Sequence, residues 1–218
     1  MVAVALEELV HIPAKGATLE GMLSIPEGAE GLVLFAHGSG SSRHSPRNNF
    51  VAKALNDRRI GTLLFDLLTE AEDINYQTRF DISLLTERLI SSTQWLSRQP
   101  RTGILRVGYF GSSTGAAAAL DAAAVLGTLI GAIVSRGGRP DLAGGVVKQV
   151  GAPTLFIVGG ADEPVLTLNR EVHELLRCEK KLAVIPGATH LFPEAGALEE
   201  VARLAADWFA GHLGGKAS

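Results

Sequence analysis

Apolar residues follow two different patterns along the chain. In two segments near the N-terminus, residues 6–12 and 18–25, apolar and polar positions alternate, with Gly16 between them. Alternation is typical of strands with one buried and one exposed face, so these segments predict a hairpin at a sheet edge. Continuous apolar runs are typical of strands buried on both faces. Six such runs follow, at residues 31–37, 62–66, 104–110, 128–134, 153–159 and 181–185.

Helical patterns separate the continuous runs. Leu85, Leu89 and Leu96, for example, recur at the spacing of one face of an amphipathic helix. The alternation of strands and helices predicts an α/β fold, with a doubly wound, mostly parallel eight-stranded sheet and helices on both faces. We expect residues 1–218 to form a single domain of this kind. The predicted helices cover residues 46–58, 80–98, 114–126, 164–177 and 197–210.

Composition narrows the classes of partner. The chain has 218 residues, of which 46% are hydrophobic, and its net charge is −3. Without a basic excess we expect no nucleic-acid partner. The only cysteine, Cys178, cannot form an internal disulfide, which favours a reducing compartment. No Lys or Arg precedes the first apolar residues, and Glu7 and Glu8 interrupt them, so we expect a cytoplasmic protein without a secretion signal.

One apolar stretch, residues 115–134, has the length of a membrane-spanning helix. Asp121 lies within it, and Gly127 and Gly131 interrupt it where a helix and a strand would be joined. We therefore predict a buried helix followed by a buried strand, and no membrane partner.

The candidate chemistry begins at Gly111-Ser112-Ser113-Thr114-Gly115, which fits the pattern G-x-S-x-G. The motif follows a predicted strand and opens an alanine-rich helix, which is the context of a nucleophile elbow. Ser113 is then the candidate nucleophile, and the helix N-terminus directs N–H groups toward negative charge developing on a carbonyl oxygen. The alternative is a turn of small residues in which Ser113 caps the helix.

A serine nucleophile needs a base, and the base needs a carboxylate that orients it. In hydrolases with this elbow the chain order is serine, acid, histidine. Asp162 follows the predicted strand 153–159, and His190 follows the predicted strand 181–185. Ser113, Asp162 and His190 therefore form the candidate triad. Taken singly, Asp162 is also typical of a helix N-cap, and His190 of a loop histidine.

An oxyanion hole needs two backbone donors. The N–H of Thr114 is one candidate, because Thr114 follows the candidate nucleophile. The glycine-rich turn after the third strand can direct a second N–H inward, and we assign this donor to Ser39, with Gly38 and Gly40 as alternatives. His37, which precedes the turn, is expected to brace it.

Three arginines fall near the same edge of the predicted sheet. Arg43 and Arg47 follow the glycine-rich turn, and Arg136 follows the sixth strand. Guanidinium groups bind carboxylates and phosphates well, so these residues are candidates for binding an anionic substrate. Solvated or ion-paired arginines are the alternative. The six histidines show no metal-ligand spacing, and we expect neither metal nor cofactor.

Two long connectors bear on access to the site. Residues 67–79 include Glu70, Glu72 and Asp73 and are expected to form a solvated loop. The connector from Ser135 to Ala152 has room for one short helix, so we expect no cap domain. Residues 39–49 and 67–79 would then roof the pocket.

The chain resembles the α/β-hydrolase superfamily, and within it the dienelactone-hydrolase-like branch of small, cap-less bacterial hydrolases. Five stretches carry the resemblance: FAHGSGSSRHSPRN, GYFGSSTGAAAAL, SRGGRPDLAG, VGGADEPV and GATHLF. It implies Ser113 as nucleophile, Asp162 as acid and His190 as base. Dienelactone hydrolase proper has a cysteine at the elbow, whereas this chain has Ser113. The resemblance therefore implies a serine hydrolase that cleaves small carboxylic esters, or related lactones and thioesters, through an acyl-enzyme.

Two other classes fit parts of the sequence. Gly38-Ser39-Gly40, followed by a helix and a strand ending at Asp66, imitates the opening of a dinucleotide-binding oxidoreductase. Arg43 stands where the third glycine of that fingerprint belongs, which weakens the match. The second class is a hydrolase-fold protein that binds without catalysis, and the complete candidate triad favours an enzyme over it.

Overall fold

The buried apolar runs form the centre of one mixed sheet in the computed structural model, which describes residues 4–214. Residues 1–3 and 215–218 lie outside the described residues. The two ends of the predicted domain, and the start of the segment in which no secretion signal is expected, fall within these two ranges. The strand order is β1-β2-β4-β3-β5-β6-β7-β8, and every pairing from β4 to β8 is parallel. The strands are β1 (Val4–Ala14), β2 (Ala17–Pro26), β3 (Gly31–Ala36), β4 (Ile60–Phe65), β5 (Arg106–Ser112), β6 (Ile130–Arg136), β7 (Thr154–Gly159) and β8 (Lys180–Ile185).

The alternating segments form the predicted antiparallel hairpin at the sheet edge. β1 pairs with β2, and β2 pairs with β4 in the antiparallel sense. Gly16 turns the hairpin with a φ of 75°, a conformation that glycine adopts without steric cost. Val10 and Ile12 are buried whereas Leu9 is exposed, so the alternation along β1 does mark a one-sided strand.

Helices cover both faces of the sheet, as the doubly wound prediction requires. One apolar cluster packs residues of α3, α4 and α5 against one face, and a second cluster packs α1 and α6 against the other. Within residues 4–214 no helix has both the length and the hydrophobicity needed to cross a bilayer. The helices are α1 (Pro46–Asn56), α2 (Glu70–Asp73), α3 (Ile82–Ser97), α4 (Thr114–Leu126), α5 (Glu163–Leu175) and α6 (Ala197–Leu213).

The long connectors differ in how well they were predicted. The connector after β6 holds only 3₁₀ turns at Pro140–Gln149, interrupted at Gly144, so no cap is inserted there in the described part of the chain. The prediction of a solvated loop at residues 67–79 is wrong, because Glu70–Asp73 form a helical turn. The carboxylate of Glu72 accepts a hydrogen bond of 2.6 Å from the buried guanidinium of Arg88, which holds this segment on the protein.

The elbow motif allows an unusually close approach between α4 and the sheet. A Cβ added at Gly115 would overlap the carbonyl oxygen of Ala36, at the end of β3. A Cβ at Gly111 would lie 2.5 Å from the Cα of Ala116. The two glycines of the motif therefore let α4 begin directly against the carboxyl ends of β3 and β5.

Replacing Gly115 by alanine tests this contact. The new methyl group meets backbone, which cannot rotate away, so we expect Gly115→Ala to lower the free energy of unfolding by about 1–3 kcal/mol, the usual cost of overpacking. Gly145→Ala is the control, because nothing lies within 4 Å of the added Cβ. Urea unfolding of both variants measures the difference, and equal stabilities would contradict the close approach.

Candidate active site

Ser113 occupies a strained turn between β5 and α4. Its φ of 49° and ψ of −121° lie outside the regions that non-glycine residues normally adopt. Two hydrogen bonds to its carbonyl oxygen hold the turn, from the N–H of Ala116 at 3.1 Å and from the N–H of Arg139 at 3.0 Å. The Ser113 side chain makes no cap hydrogen bond to α4. The structure therefore does not support the capping alternative and leaves the hydroxyl free of that role.

Asp162 and His190 are joined by a short hydrogen bond. The imidazole Nδ1 lies 2.7 Å from Asp162 Oδ2, so Nδ1–H donates to the carboxylate and Nε2 is left as the acceptor. Asp162 stands at the N-cap position of α5 but makes no side-chain cap hydrogen bond. Its side chain is 14% exposed and that of His190 is 40% exposed. The carboxylate thus orients an imidazole that solvent can reach.

The loops after β7 and β8 place these two residues. The N–H of Gly160 donates to Ile185 O at 2.8 Å, and the N–H of Ala161 donates to Ala188 O at 2.9 Å. These bonds tie the two loops together where their parallel strands end, which brings Asp162 and His190 side by side.

Ser113 and His190 lie at the same edge of the sheet. A Cβ at Gly137, the residue after β6, would lie 3.1 Å from the carbonyl oxygen of His190. β6 pairs with β5 as far as Ser112, and Arg139 bonds the carbonyl of Ser113. No hydrogen bond joins the Ser113 hydroxyl to the imidazole within residues 4–214. In enzymes without substrate this contact is often loose.

The two residues that carry the candidate oxyanion donors, Ser39 and Thr114, are in contact. The N–H of Ser39 donates to the Thr114 hydroxyl at 3.2 Å. A Cβ at Gly38 would lie 2.9 Å from the Cβ of Ser113, so the loop after β3 packs against the candidate nucleophile. The first N–H groups of a helix have no partner within the helix, and Thr114 is the first residue of α4.

His37 ties this loop to its neighbour. The side chain is buried, its Nδ1–H donates to Gly38 O at 3.0 Å, and its Nε2 accepts from the N–H of Leu67 at 3.1 Å. Burial lowers the pKa of His37, against smaller opposing effects of Gly38 and Asp66. A neutral imidazole therefore links the turns after β3 and β4, in the bracing role that the sequence predicts.

The three candidate arginines have different surroundings. The guanidinium of Arg43 pairs with Asp66, and it lies 2.6 Å from Glu20. The ion-paired alternative thus describes Arg43, and Asp66 is not free to bind a ribose as a dinucleotide fold would require. Arg136 is buried at the end of β6, and its guanidinium carbon lies 5.8 Å from the centroid of the Phe192 ring.

A polar cleft of about 690 Å³ opens beside the candidate site. It reaches His37 but is not lined by Ser113, so it adjoins the place of chemistry rather than containing it. The sequence predicts two of its walls, the connectors 39–49 and 67–79. It does not predict the third, in which Thr18 and Glu20 of β2 take part. Polar residues in the second strand of the edge hairpin were the available signal.

Comparisons with known proteins agree with this architecture. Residues 68–210 match the model of the dienelactone hydrolase family. The crystal structure of dienelactone hydrolase from Anabaena variabilis ATCC 29413 is 52% identical, with a TM-score of 0.93 over 95% of this chain and 98% of that one. Est1E from Butyrivibrio proteoclasticus is 16% identical and shares the fold, with a TM-score of 0.80 over 93% of this chain and 98% of that one.

A longer relative is also similar. The protein named "Putative phosphoribosyl transferase MT0597", from Mycobacterium tuberculosis (strain CDC 1551 / Oshkosh), is 54% identical over 209 residues. The match covers 96% of this chain and 47% of that protein. This chain thus spans about half the length of the curated relatives it matches.

Burial of His37 makes stability depend on pH. The unfolded chain binds a proton at His37 near the ordinary value of about 6.5, whereas the folded protein resists it because burial lowers the pKa. The contribution of neutral His37 to the free energy of unfolding is complete above about pH 6.5. It is lost as the pH falls from there toward the lower pKa of the folded state, by at most about 1.4 kcal/mol per pH unit.

Urea unfolding between pH 7.5 and pH 5 measures this loss. We expect His37→Gln to show a shallower loss of stability than the unmodified protein across that range, since glutamine does not titrate. His44→Gln is the control, because His44 is exposed in the loop after β3. Parallel curves for the unmodified protein and His37→Gln would contradict the effect of burial.

Proposed function

The chain belongs to the dienelactone hydrolase family, and on this premise we propose that it is a serine hydrolase of small carboxylic esters or related lactones and thioesters. The observation that carries the proposal is the 2.7 Å hydrogen bond from His190 to Asp162 at the sheet edge where Ser113 lies in its strained turn. Three groups in this order supply a nucleophile, a base and an orienting carboxylate.

In the proposed mechanism the Ser113 hydroxyl attacks the carbonyl carbon of the ester. Nε2 of His190 accepts the hydroxyl proton and then donates it to the departing alcohol, which leaves an acyl group on Ser113. Water, deprotonated by the same nitrogen, attacks the acyl carbon, and the imidazolium returns this proton to the Ser113 oxygen as the acid is released. Asp162 keeps the proton of the neutral imidazole on Nδ1 and stabilises the imidazolium that forms in each half-reaction.

Two backbone N–H groups are proposed to hold the oxyanion. The N–H of Thr114 points from the N-terminus of α4, where the helix dipole favours negative charge. The N–H of Ser39 donates to the Thr114 hydroxyl at 3.2 Å, and we propose that the oxyanion replaces this acceptor. The bond holds the Ser39 donor in place next to Ser113 before substrate binds.

Cys178 is a poor alternative nucleophile. It precedes β8 and contacts Thr154, the first residue of β7, with Sγ 3.9 Å from the threonine hydroxyl. It therefore lies at the amino ends of the strands, whereas Asp162 and His190 lie at their carboxyl ends. Burial raises the pKa of the Cys178 thiol, which keeps it in the weakly nucleophilic protonated form.

The proposal concerns the part of the longer relatives that this chain matches. The mycobacterial protein, named for phosphoribosyl transfer, is about twice as long as the match. We propose ester hydrolysis for the matched part, without a cofactor and in the cytoplasm.

Loss of the Ser113 hydroxyl tests the nucleophile. We expect Ser113→Ala to lower kcat on p-nitrophenyl acetate by about 10⁴–10⁶-fold, the typical cost of removing a triad member. Ser97→Ala is the control, since Ser97 is an exposed residue at the end of α3. A serine-directed fluorophosphonate should label the unmodified protein at Ser113. Equal turnover in both variants would contradict the assignment, and a protein that neither turns over esters nor labels would favour binding without catalysis.

The walls of the adjoining cleft predict a preference for short acyl groups. Residues 4–214 form no cap over the site, and the charged residues Glu20, Arg43 and Asp66 line the cleft. Each methylene placed in an apolar pocket is worth about 1–3 kcal/mol, and charged walls forgo that gain. We expect kcat/KM on p-nitrophenyl esters to be highest between acetate and butyrate and to fall from octanoate onward. A maximum at decanoate or laurate would contradict the polar, open site.

A further inference from the structure

A group of buried polar atoms without hydrogen-bond partners lies next to the Ser113 turn, on the face of the sheet covered by α1 and α6. Ser112 Oγ, Arg136 Nε, Arg136 Nη1 and Arg47 Nε are all buried without a hydrogen-bond partner among residues 4–214. Ser112 and Arg136 are paired residues of β5 and β6, and Arg47 lies in the first turn of α1. Buried polar groups are nearly always satisfied, so a cluster of unsatisfied donors indicates a missing acceptor.

Neither Arg47 nor Arg136 is paired with a carboxylate among residues 4–214. The guanidinium of Arg136 is close enough to Arg47 for the neighbouring charge to add to the effect of burial, and together they lower the pKa of Arg136 to about 10. Arg136 is therefore still charged at neutral pH. In the described part of the chain the arginines with ion pairs are Arg43, Arg58, Arg79, Arg88, Arg139 and Arg203, and neither Arg47 nor Arg136 is among them.

Arg88 shows how this protein otherwise treats a buried guanidinium. The Arg88 side chain is 4% exposed, and the Glu72 carboxylate lies 2.6 Å from it. Arg136, which is 7% exposed, has instead a second cation beside it. Burying a charge without a counter-charge is costly, and burying it beside a like charge is costlier still. An anion between the two guanidinium groups would supply the missing counter-charge and reduce their mutual repulsion.

We propose that Arg47 and Arg136 bind a small anion, with the Ser112 hydroxyl as a further donor. The guanidinium carbon of Arg136 lies over the Phe192 ring, 5.8 Å from its centroid, and Nε and Nη1 remain without a partner among residues 4–214. Planar guanidinium groups suit the oxygens of carboxylate and phosphate. Arg47 is half-exposed, so the site is reached from the surface beside α1.

The location connects the anion to the candidate triad. Ser112 precedes the candidate nucleophile, and Phe192 follows His190 by two residues. A bound anion would therefore fix the position of Arg136, which is paired with Ser112 at the end of β5 and contacts Phe192 in the His190 loop. The ligand has two sources, a free inorganic anion or a carboxylate carried by the substrate, and the same two guanidinium groups would bind either.

Thermal unfolding measures binding without any need for activity. The probes are inorganic phosphate and sodium acetate, with the ionic strength held constant by a bulky organic sulfonate that the site cannot enclose. We expect the unfolding midpoint to rise with probe concentration, as for any ligand that binds only the folded state. The rise should also occur in Ser113→Ala, so that failure of the proposed nucleophile and failure of the anion site remain distinguishable.

Three variants separate specific binding from a general salt effect. Arg136→Met and Arg47→Met should each weaken the apparent affinity for the probe at least tenfold. Arg203→Met is the control, because Arg203 is exposed on α6 and pairs with Glu200. If Arg136→Met fails to fold, the half-exposed Arg47→Met carries the test. An equal midpoint rise in Arg47→Met and Arg203→Met would show that the rise is a salt effect and would overturn free-anion binding.

Ester kinetics test the second source. The kcat/KM of phenyl acetate is compared with that of its carboxyphenyl analogue in buffer without small anions. A carboxylate-binding site predicts that Arg47→Met lowers the ratio of anionic to neutral ester at least tenfold, whereas a free-anion site leaves the ratio unchanged and produces the midpoint rise. Either pattern supports an anion site, and the absence of both overturns it.

Discussion

The contact between α4 and the sheet is closer than side chains would allow, and the arrangement of the candidate site depends on it. Gly111 and Gly115 lack the Cβ atoms that would meet Ala116 and the Ala36 carbonyl. The chain can therefore turn directly from β5 into α4, with Ser113 in a strained conformation at the bend. The packing energy of the alanine-rich helix offsets the strain at one residue.

The same close approach organises the groups around Ser113. α4 begins under the loop that follows β3, so the backbone of Ser39 meets the Thr114 hydroxyl and Gly38 packs on Ser113. His37 holds that loop to the turn after β4. Asp162 and His190 come from two loops joined by backbone hydrogen bonds. Each group depends on a strand end, and rigid strands give these ends fixed positions.

Charge is distributed unevenly around this edge. On the β2 and β4 side, Arg43 is paired with Asp66 and Glu20, and the carboxylates that line the cleft, which also include Glu70 and Asp73, outnumber its guanidinium group. On the α1 side, no carboxylate of residues 4–214 forms an ion pair with Arg47 or Arg136. Two neighbouring regions at this edge of the sheet thus differ in charge.

The sequence alone predicts the eight strands and the five longer helices in their order, because period and run length directly record which faces of a segment are buried. It also determined that Ser113, Asp162 and His190 follow the ends of strands, since parallel strands place such residues at one edge. The partners of the charged side chains, in contrast, are known only from the tertiary structure. Arg43, Arg88 and Arg136 look alike in sequence, yet one pairs with two carboxylates, one pairs with Glu72 and one lies beside another cation. The helical turn at Glu70–Asp73 is a different case, because Thr69 and Glu72 form a capping box, a local signal from which the turn was predictable. Charged side chains such as Arg43 and Arg88 pair with residues of other segments, and no local sequence pattern shows which segments approach each other.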